Sequence, residues 1–212
     1  MTGTRRIHSQ LDAATVLTAY RAGYFPMADP ETRAISWYSP DPRAIIPLDE
    51  FPISRSLRQT INKHRFEVRL DTAFESVIRS CADREETWIS DEIIAVYTEL
   101  HRLGHAHSVE SWLGGVLAGG LYGVAIGGAF FGESMFSRKA DASKVALVFL
   151  VRHLHDRGFG LLDSQFINDH IRRFGAVEIK RSDYLARLRG ALSLKTGFGE
   201  PTKDKTGDAN SR

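Results

Sequence analysis

The chain has 212 residues, 42% of them hydrophobic and 25% charged, and its formal net charge at pH 7 is +2. This composition is that of an ordinary globular protein, with room for one full domain and a smaller appended unit. A single cysteine, Cys81, excludes an intramolecular disulfide, and residues 1–10 lack the apolar core of a secretory signal. We therefore expect a cytoplasmic protein.

The first fifty residues predict a small α/β unit. A helix is expected over about residues 12–22, with Ser9 or Asp12 as its N-cap. The residues that follow hold six of the chain's seven prolines, so extended or turning backbone is expected there, with one short strand near residues 35–38. We place this N-terminal domain at residues 1–50.

From Ile53 onward, helical and strand patterns alternate. The predicted helices cover about residues 54–64, 72–80, 91–103, 143–157, 169–174 and 182–192. The predicted strands cover about residues 66–70, 107–112, 116–126, 129–136, 160–164 and 177–180. Three consecutive central strands, followed by a helix and a further strand, predict an α+β fold with a mixed sheet flanked by helices, similar to the GNAT-like N-acyltransferase layout. This domain is placed at residues 51–194, and residues 195–212 are expected to be a disordered tail.

Residues 111–132 carry no charge and are long enough for a membrane helix. Paired glycines at 114–115, 119–120 and 127–128 divide this run into short pieces rich in Val, Tyr, Ile and Phe. Such pieces favour buried strands joined by glycine turns or bulges, so no membrane partner is expected.

The chain lacks the common strong motifs of catalysis. It contains no P-loop, no G-x-S-x-G and no H-E-x-x-H, and a loop separates His101 from His105 and His107, so no metal site is predicted. Residues 51–70 carry five basic side chains against one acidic, an arrangement that suits phosphate contacts. A solvated helix face explains the same charges.

Two segments carry candidate chemistry. Residues 130–138 place Glu133 among aromatic and thioether neighbours on a strand expected to be buried, where a carboxylate needs a partner or a function. Alternation along the strand ending near residue 164 puts Asp163 and Gln165 on one face. These two side chains suit catalysis, and they equally suit a structural hydrogen-bond pair.

An ordered set of short motifs connects these segments to a known family. WYSPDPR stands at 37–43, GESMFSR at 132–138, and D-x-Q-x-x-N-D-H at 163–170. Shorter pieces in the same order lie at 24–26, 54–56, 87–89, 103–108 and 142–144. Together they resemble the leucyl/phenylalanyl-tRNA–protein transferase family over roughly residues 17–188.

The resemblance implies a reaction without metal or coenzyme, because the substrate ester is already activated. The α-amine of a protein with N-terminal Lys or Arg attacks the aminoacyl ester of Leu-tRNA or Phe-tRNA. The new peptide bond then marks the protein for degradation through the N-degron pathway. We expect a monomer that works in the cytoplasm.

The resemblance also implies roles for individual residues. Gln165 accepts a hydrogen bond from the incoming amine, and Asp163 polarises Gln165. Glu133 orients the reactants. The terminal adenosine of the tRNA is expected beside Tyr20, Met27, Trp88 and Tyr97. The donor side chain is expected in a pocket of Leu121, Phe130, Met135, Leu150 and Leu154, for which ordinary core packing stays an alternative. Phosphate contacts are expected from Arg55, Arg58, Lys63 and Arg65.

The chain departs from the best-known members of that family. Met27 stands where they have Trp, and Leu150 and Leu154 replace pocket aromatics, so the preference between Leu, Phe and Met is open. The segment before Leu11 is short, which trims the N-terminal unit.

Two other functions compete with aminoacyl transfer. A coenzyme A-dependent GNAT N-acetyltransferase would need a glycine loop opening a helix, and residues 172–177 match it poorly. A tRNA-binding module without catalysis would leave Glu133 and Asp163 unexplained.

Overall fold

The structure is a computed structural model and describes residues 11–199. In that range the helices are α1 (Ala13–Arg21), α2 (Arg55–Asn62), α3 (Phe74–Ala82), α4 (Asp91–Arg102), α5 (Ala142–Asp156), α6 (Asp169–Arg172) and α7 (Arg181–Leu192). The strands are β1 (Phe25–Ala28), β2 (Ile35–Tyr38), β3 (Arg43–Ile45), β4 (Glu67–Leu70), β5 (Ala106–Leu113), β6 (Val116–Ile126), β7 (Ala129–Ser137), β8 (Leu161–Gln165) and β9 (Val177–Ile179). Asp12 caps α1 by accepting the N–H of Thr15, whereas Ser9 lies outside the described residues.

Seven strands form one mixed sheet in the order β4-β5-β6-β7-β8-β3-β9, with β7 and β8 parallel and the other neighbours antiparallel. Apolar side chains of α1, α3, α4 and α7 pack on one face, and those of α2, α5 and α6 pack on the other. The prediction of an α+β fold with a mixed sheet flanked by helices is thus confirmed.

Strand β3 links the two parts of the chain. It lies in the large sheet between β8 and β9, so the predicted domain boundary after residue 50 is too late by several residues. Sequence reasoning missed β3, because the surrounding prolines indicate turning backbone. Within residues 11–199, the separate N-terminal sheet consists of β1 and β2.

The uncharged run at residues 111–132 forms the end of β5, all of β6 and the start of β7. Gly114 and Gly115 both have positive φ in the turn between β5 and β6, a conformation that glycine adopts without steric cost. A Cβ on Gly123 would collide with the Phe131 carbonyl and the Phe130 ring. The predicted strands with glycine turns are confirmed, and none of the helices described between residues 11 and 199 is long and apolar enough to cross a membrane.

The chain after α7 packs back onto the domain. Phe198 is 3% exposed and lies against the rings of His107, Phe130 and His153. The prediction of a disordered tail is therefore wrong for residues 195–199, because Phe198 is an apolar anchor in an otherwise polar segment. The remainder of that predicted tail lies outside the described residues.

Candidate active site

A cavity opens where the parallel strands β7 and β8 part. Their register ends at the pair Phe131 and Asp163, and beyond it lies a cavity of about 390 Å³. Its apolar wall is formed by Ile46, Leu121, Met135, Leu147, Leu150 and Leu162. Its polar wall is formed by Glu133, Ser134, Asp163, Ser164, Asn168 and His170. A cleft with one apolar side and a few convergent polar groups is typical of a substrate site.

A β-bulge places Glu133 in this cavity. On β6, Tyr122 and Gly123 are consecutive, but they pair with Ser134 and Gly132 of β7, so Glu133 has no register partner. Bulges redirect side chains and are frequent beside active sites. Here the bulge directs the carboxylate toward Tyr20, whose hydroxyl donates to Glu133 Oε1 at 2.6 Å.

The environment of Glu133 raises the pKa of its carboxyl to about 8, mainly because burial disfavours the charged form. The hydrogen bond from Tyr20 opposes this rise, the negative charge of Asp163 adds to it, and Arg43 and Tyr97 oppose it. A carboxyl with a pKa near neutrality can both take and return a proton under working conditions.

Tyr20 and Tyr97 lie beneath the cavity and support Glu133. Both have 0% exposure, their hydroxyls bond each other, and the Tyr97 hydroxyl lies 3.5 Å from Glu133 Oε2. A nucleobase stacks on an accessible ring face, which neither tyrosine offers here, and their place beside the adenosine stays a prediction.

Asp163 is held by a buried ion pair. Arg43 donates to its two carboxylate oxygens at 2.9 and 2.6 Å, and Tyr184 donates at 2.8 Å. Arg43 has 0% exposure and its guanidinium lies over the rings of Phe25 and Tyr184. Sequence reasoning did not assign a role to Arg43, although WYSPDPR contains it.

Gln165 occupies a strained position at the end of β8. Its φ is +60°, a region that non-glycine residues seldom adopt and that is enriched at functional sites. Its backbone N–H donates to Asp163 Oδ1 at 2.9 Å, and its side-chain Nε2 donates to Glu133 Oε1 at 3.3 Å. Asp163 therefore contacts the backbone N–H of Gln165, and the polarisation of Gln165 by Asp163 stays a prediction.

The predicted pocket residues divide into two layers. Leu121, Met135 and Leu150 line the cavity, whereas Phe130 and Leu154 are buried in the cluster behind it. The prediction missed Leu147 and Leu162, which line the cavity from α5 and β8. Apolar residues of this kind occur equally in an ordinary core. No local signal in the sequence therefore distinguishes a residue that lines the cavity from one that is buried behind it.

Around the mouth of the cavity, Trp88 and Phe166 contribute aromatic side chains. Phe166 is 46% exposed and meets Phe25 edge-on. Met27 lies half-buried on β1 and is not among the residues lining the cavity.

The four basic residues predicted to contact phosphate lie on α2 and in the turn that follows it. All four are exposed, and within residues 11–199 none forms an ion pair with a carboxylate; they are Arg55, Arg58, Lys63 and Arg65. Their charges are thus available to a polyanion. In the same range, no three His, Cys, Asp or Glu side chains are grouped so as to hold a metal ion.

Comparison with known proteins matches this chain to one family. The family model described as "Leucyl/phenylalanyl-tRNA protein transferase" matches residues 45–189, and that of its N-terminal domain matches residues 9–41. The chain is 57% identical to the leucyl/phenylalanyl-tRNA–protein transferase of Gloeobacter violaceus over 86% of this chain and 95% of that one. It is 54% identical to the protein of the same name from Chlorobaculum parvum over 86% and 96%.

Among solved structures, that of L-PGS from Bacillus licheniformis aligns with a TM-score of 0.39 and 12% identity, over 77% of this chain and 56% of that one. This likeness is too low to assign a fold.

Proposed function

Since the chain belongs to the leucyl/phenylalanyl-tRNA–protein transferase family and is an aminoacyltransferase, we propose that it moves leucine from aminoacyl-tRNA to proteins with N-terminal Lys or Arg. Phenylalanine and methionine serve as further donors. The product carries a new N-terminal residue that marks it for degradation in the cytoplasm. The enzyme acts as a monomer on a GNAT-like scaffold.

One observation carries this proposal: the cavity joins an apolar wall to a polar network at the split between β7 and β8. Leu121, Met135 and Leu150 suit an aliphatic or aromatic donor side chain. A flexible thioether and branched aliphatic walls adapt to several shapes, which supports the use of more than one donor.

The polar network suits the attack of an amine on an ester. The amine nitrogen bonds to the ester carbonyl carbon, and Glu133 takes the proton that the nitrogen loses. The bond from that carbon to the ribose oxygen then breaks, and Glu133 returns its proton to the leaving oxygen. The side-chain amide nitrogen of Gln165 donates to Glu133, so the amide oxygen is available to accept a hydrogen bond from the amine.

Asp163 has a positioning role in this scheme. Arg43 and Tyr184 hold its carboxylate, which in turn fixes the backbone of Gln165 in its strained conformation. This arrangement keeps the Gln165 side chain beside Glu133 without any movement of Asp163 during the reaction.

Outside the cavity, Trp88 is the aromatic best suited to stack on the terminal adenosine, a contact worth about 1–3 kcal/mol. The exposed charges on α2 suit the phosphates of the tRNA.

The coenzyme A alternative has little structural support. Residues 172–177 connect α6 to β9, so no helix N-terminus follows the glycine to receive a pyrophosphate.

The test measures transfer of labelled leucine from Leu-tRNA to peptides that begin with Lys, Arg or Ala, with acetyl-coenzyme A as a rival donor. We expect transfer to the Lys and Arg peptides alone, and none from acetyl-coenzyme A. Gln165→Ala should lower the rate by about 10²-fold, the lower part of the range for positioned proton acceptors. Transfer from acetyl-coenzyme A, or equal use of all three peptides, would contradict the proposal.

A further inference from the structure

Three polar side-chain atoms of residues that line the cavity are buried and have no hydrogen-bond partner within the described part of the chain. They are Tyr122 Oη, Ser164 Oγ and His170 Nε2. A fourth such atom, Thr98 Oγ1, lies on α4 away from the cavity. Leaving a buried donor unpaired costs about 1–3 kcal/mol. Three of them around one cavity indicate contacts that a ligand completes.

Tyr122 is the most constrained of the three. Its side chain has 0% exposure, and its ring stands edge-on to Phe74 and Tyr97 at centroid distances of 5.9 and 5.8 Å. It pairs with Ser134 beside the bulge that holds Glu133. Because the ring is packed on two sides, its hydroxyl cannot turn out to water.

The other tyrosine hydroxyls near Glu133 are already engaged. The hydroxyls of Tyr20 and Tyr97 bond Glu133 and each other. Arg84 donates to Ser134 Oγ and to the Met135 carbonyl. Among the tyrosine hydroxyls around Glu133, that of Tyr122 is the one with no hydrogen-bond partner within residues 11–199.

We propose that the Tyr122 hydroxyl donates a hydrogen bond to the carbonyl oxygen of the donor ester and stabilises the negative charge this oxygen gains during attack. The inference rests on the proposed function. The ester carbon must lie within bonding distance of the amine held by Glu133 and Gln165, which brings its oxygen to the donors beside Glu133.

The electrostatics agree with a donor role. Burial, followed by the negative charge of Glu133, raises the pKa of the Tyr122 hydroxyl well above its ordinary value of 10. The group thus keeps its proton throughout the working pH range. A neutral donor of this kind stabilises an oxyanion without adding a charge to the ground state.

The test is Tyr122→Phe, which removes one oxygen atom and keeps the ring. We expect the single-turnover rate with saturating Leu-tRNA to fall by about 10²-fold, as for the loss of one oxyanion donor. Binding of Leu-tRNA and the free energy of unfolding should not decrease, because the hydroxyl has no hydrogen-bond partner among residues 11–199 to lose. Thr98→Val, which removes an unpaired buried hydroxyl outside the cavity, is the matched control and should leave the rate unchanged.

Three results would overturn the inference: a wild-type rate in Tyr122→Phe, a parallel loss of stability and rate, or a loss confined to Ser164→Ala. The last would assign the carbonyl contact to Ser164. An inactive wild-type protein would refute the proposed function itself, which separates the two failures.

Discussion

The pKa of Glu133 makes the pH dependence of transfer a direct test of its proposed role as proton acceptor. With a pKa of about 8, roughly one tenth of Glu133 is ionised at pH 7 and about half at pH 8, so the rate should rise about fivefold over that interval. The attacking α-amine has a pKa of roughly 7.7–8.0 and must also be neutral, which contributes a similar factor. The two factors multiply.

The logarithm of the single-turnover rate should therefore rise with a slope near two below pH 7 and level off above pH 8.5, as both groups lose their protons. Glu133→Gln keeps the size of the side chain and removes its titration. Its rate should be lower, and its slope should fall to about one, from the amine alone. Asp169→Asn, at an exposed carboxylate of α6, is the control and should keep the wild-type slope.

The same shift predicts an effect on stability with a defined sign. The pKa of Glu133 is raised from an ordinary value of 4.5 to about 8, so the folded protein binds a proton that the unfolded chain releases. Its contribution to the free energy of unfolding is present below about pH 4.5 and declines as the pH rises toward 8. Glu133→Gln should flatten this decline. A slope of two in Glu133→Gln, or a wild-type rate that is flat between pH 6.5 and 8.5, would refute the reasoning.

Two further predictions follow from charges elsewhere in the fold. Arg43→Met leaves Asp163 buried without its ion-pair partner and should lower the free energy of unfolding, measured by urea denaturation, by about 3–5 kcal/mol. Arg79→Met, in an exposed helical ion pair, should lower it by less than about 1 kcal/mol. Equal losses in the two variants would contradict the buried-pair argument. Charge reversal at Arg55 and Arg58 should flatten the log–log dependence of tRNA affinity on salt by roughly 0.7–0.9 per contact. Charge reversal at Arg79 and Arg102, on the opposite face of the sheet, should leave that dependence unchanged. If reversal at Arg55 and Arg58 also left it unchanged, the charges of α2 would belong to a solvated surface.

Local patterns in the sequence were enough to predict most elements of the large domain. The glycine pairs divided an uncharged run into strands, because glycine turns and close backbone contacts are local constraints. The ordered motifs also identified the family, which the comparisons confirm. Periodicity and capping depend on neighbours a few residues apart, so one sequence contains that information.

The arrangement of the active site was decided by contacts between distant parts of the chain. Arg43 and Asp163 are 120 residues apart, and Tyr20 and Glu133 are 113 apart, so no local pattern links them. The bulge at Glu133 depends on the register of β6 and β7, not on the composition of either strand.

Alternation placed Asp163 and Gln165 on one strand face but could not show which partner each would have. The ion pair with Arg43 supports the positioning role that we propose for Asp163, and the left-handed turn at Gln165 brings its amide to Glu133. Tertiary packing alone creates the burial that raises the pKa of Glu133, because desolvation depends on everything that surrounds the group and not on its neighbours in sequence.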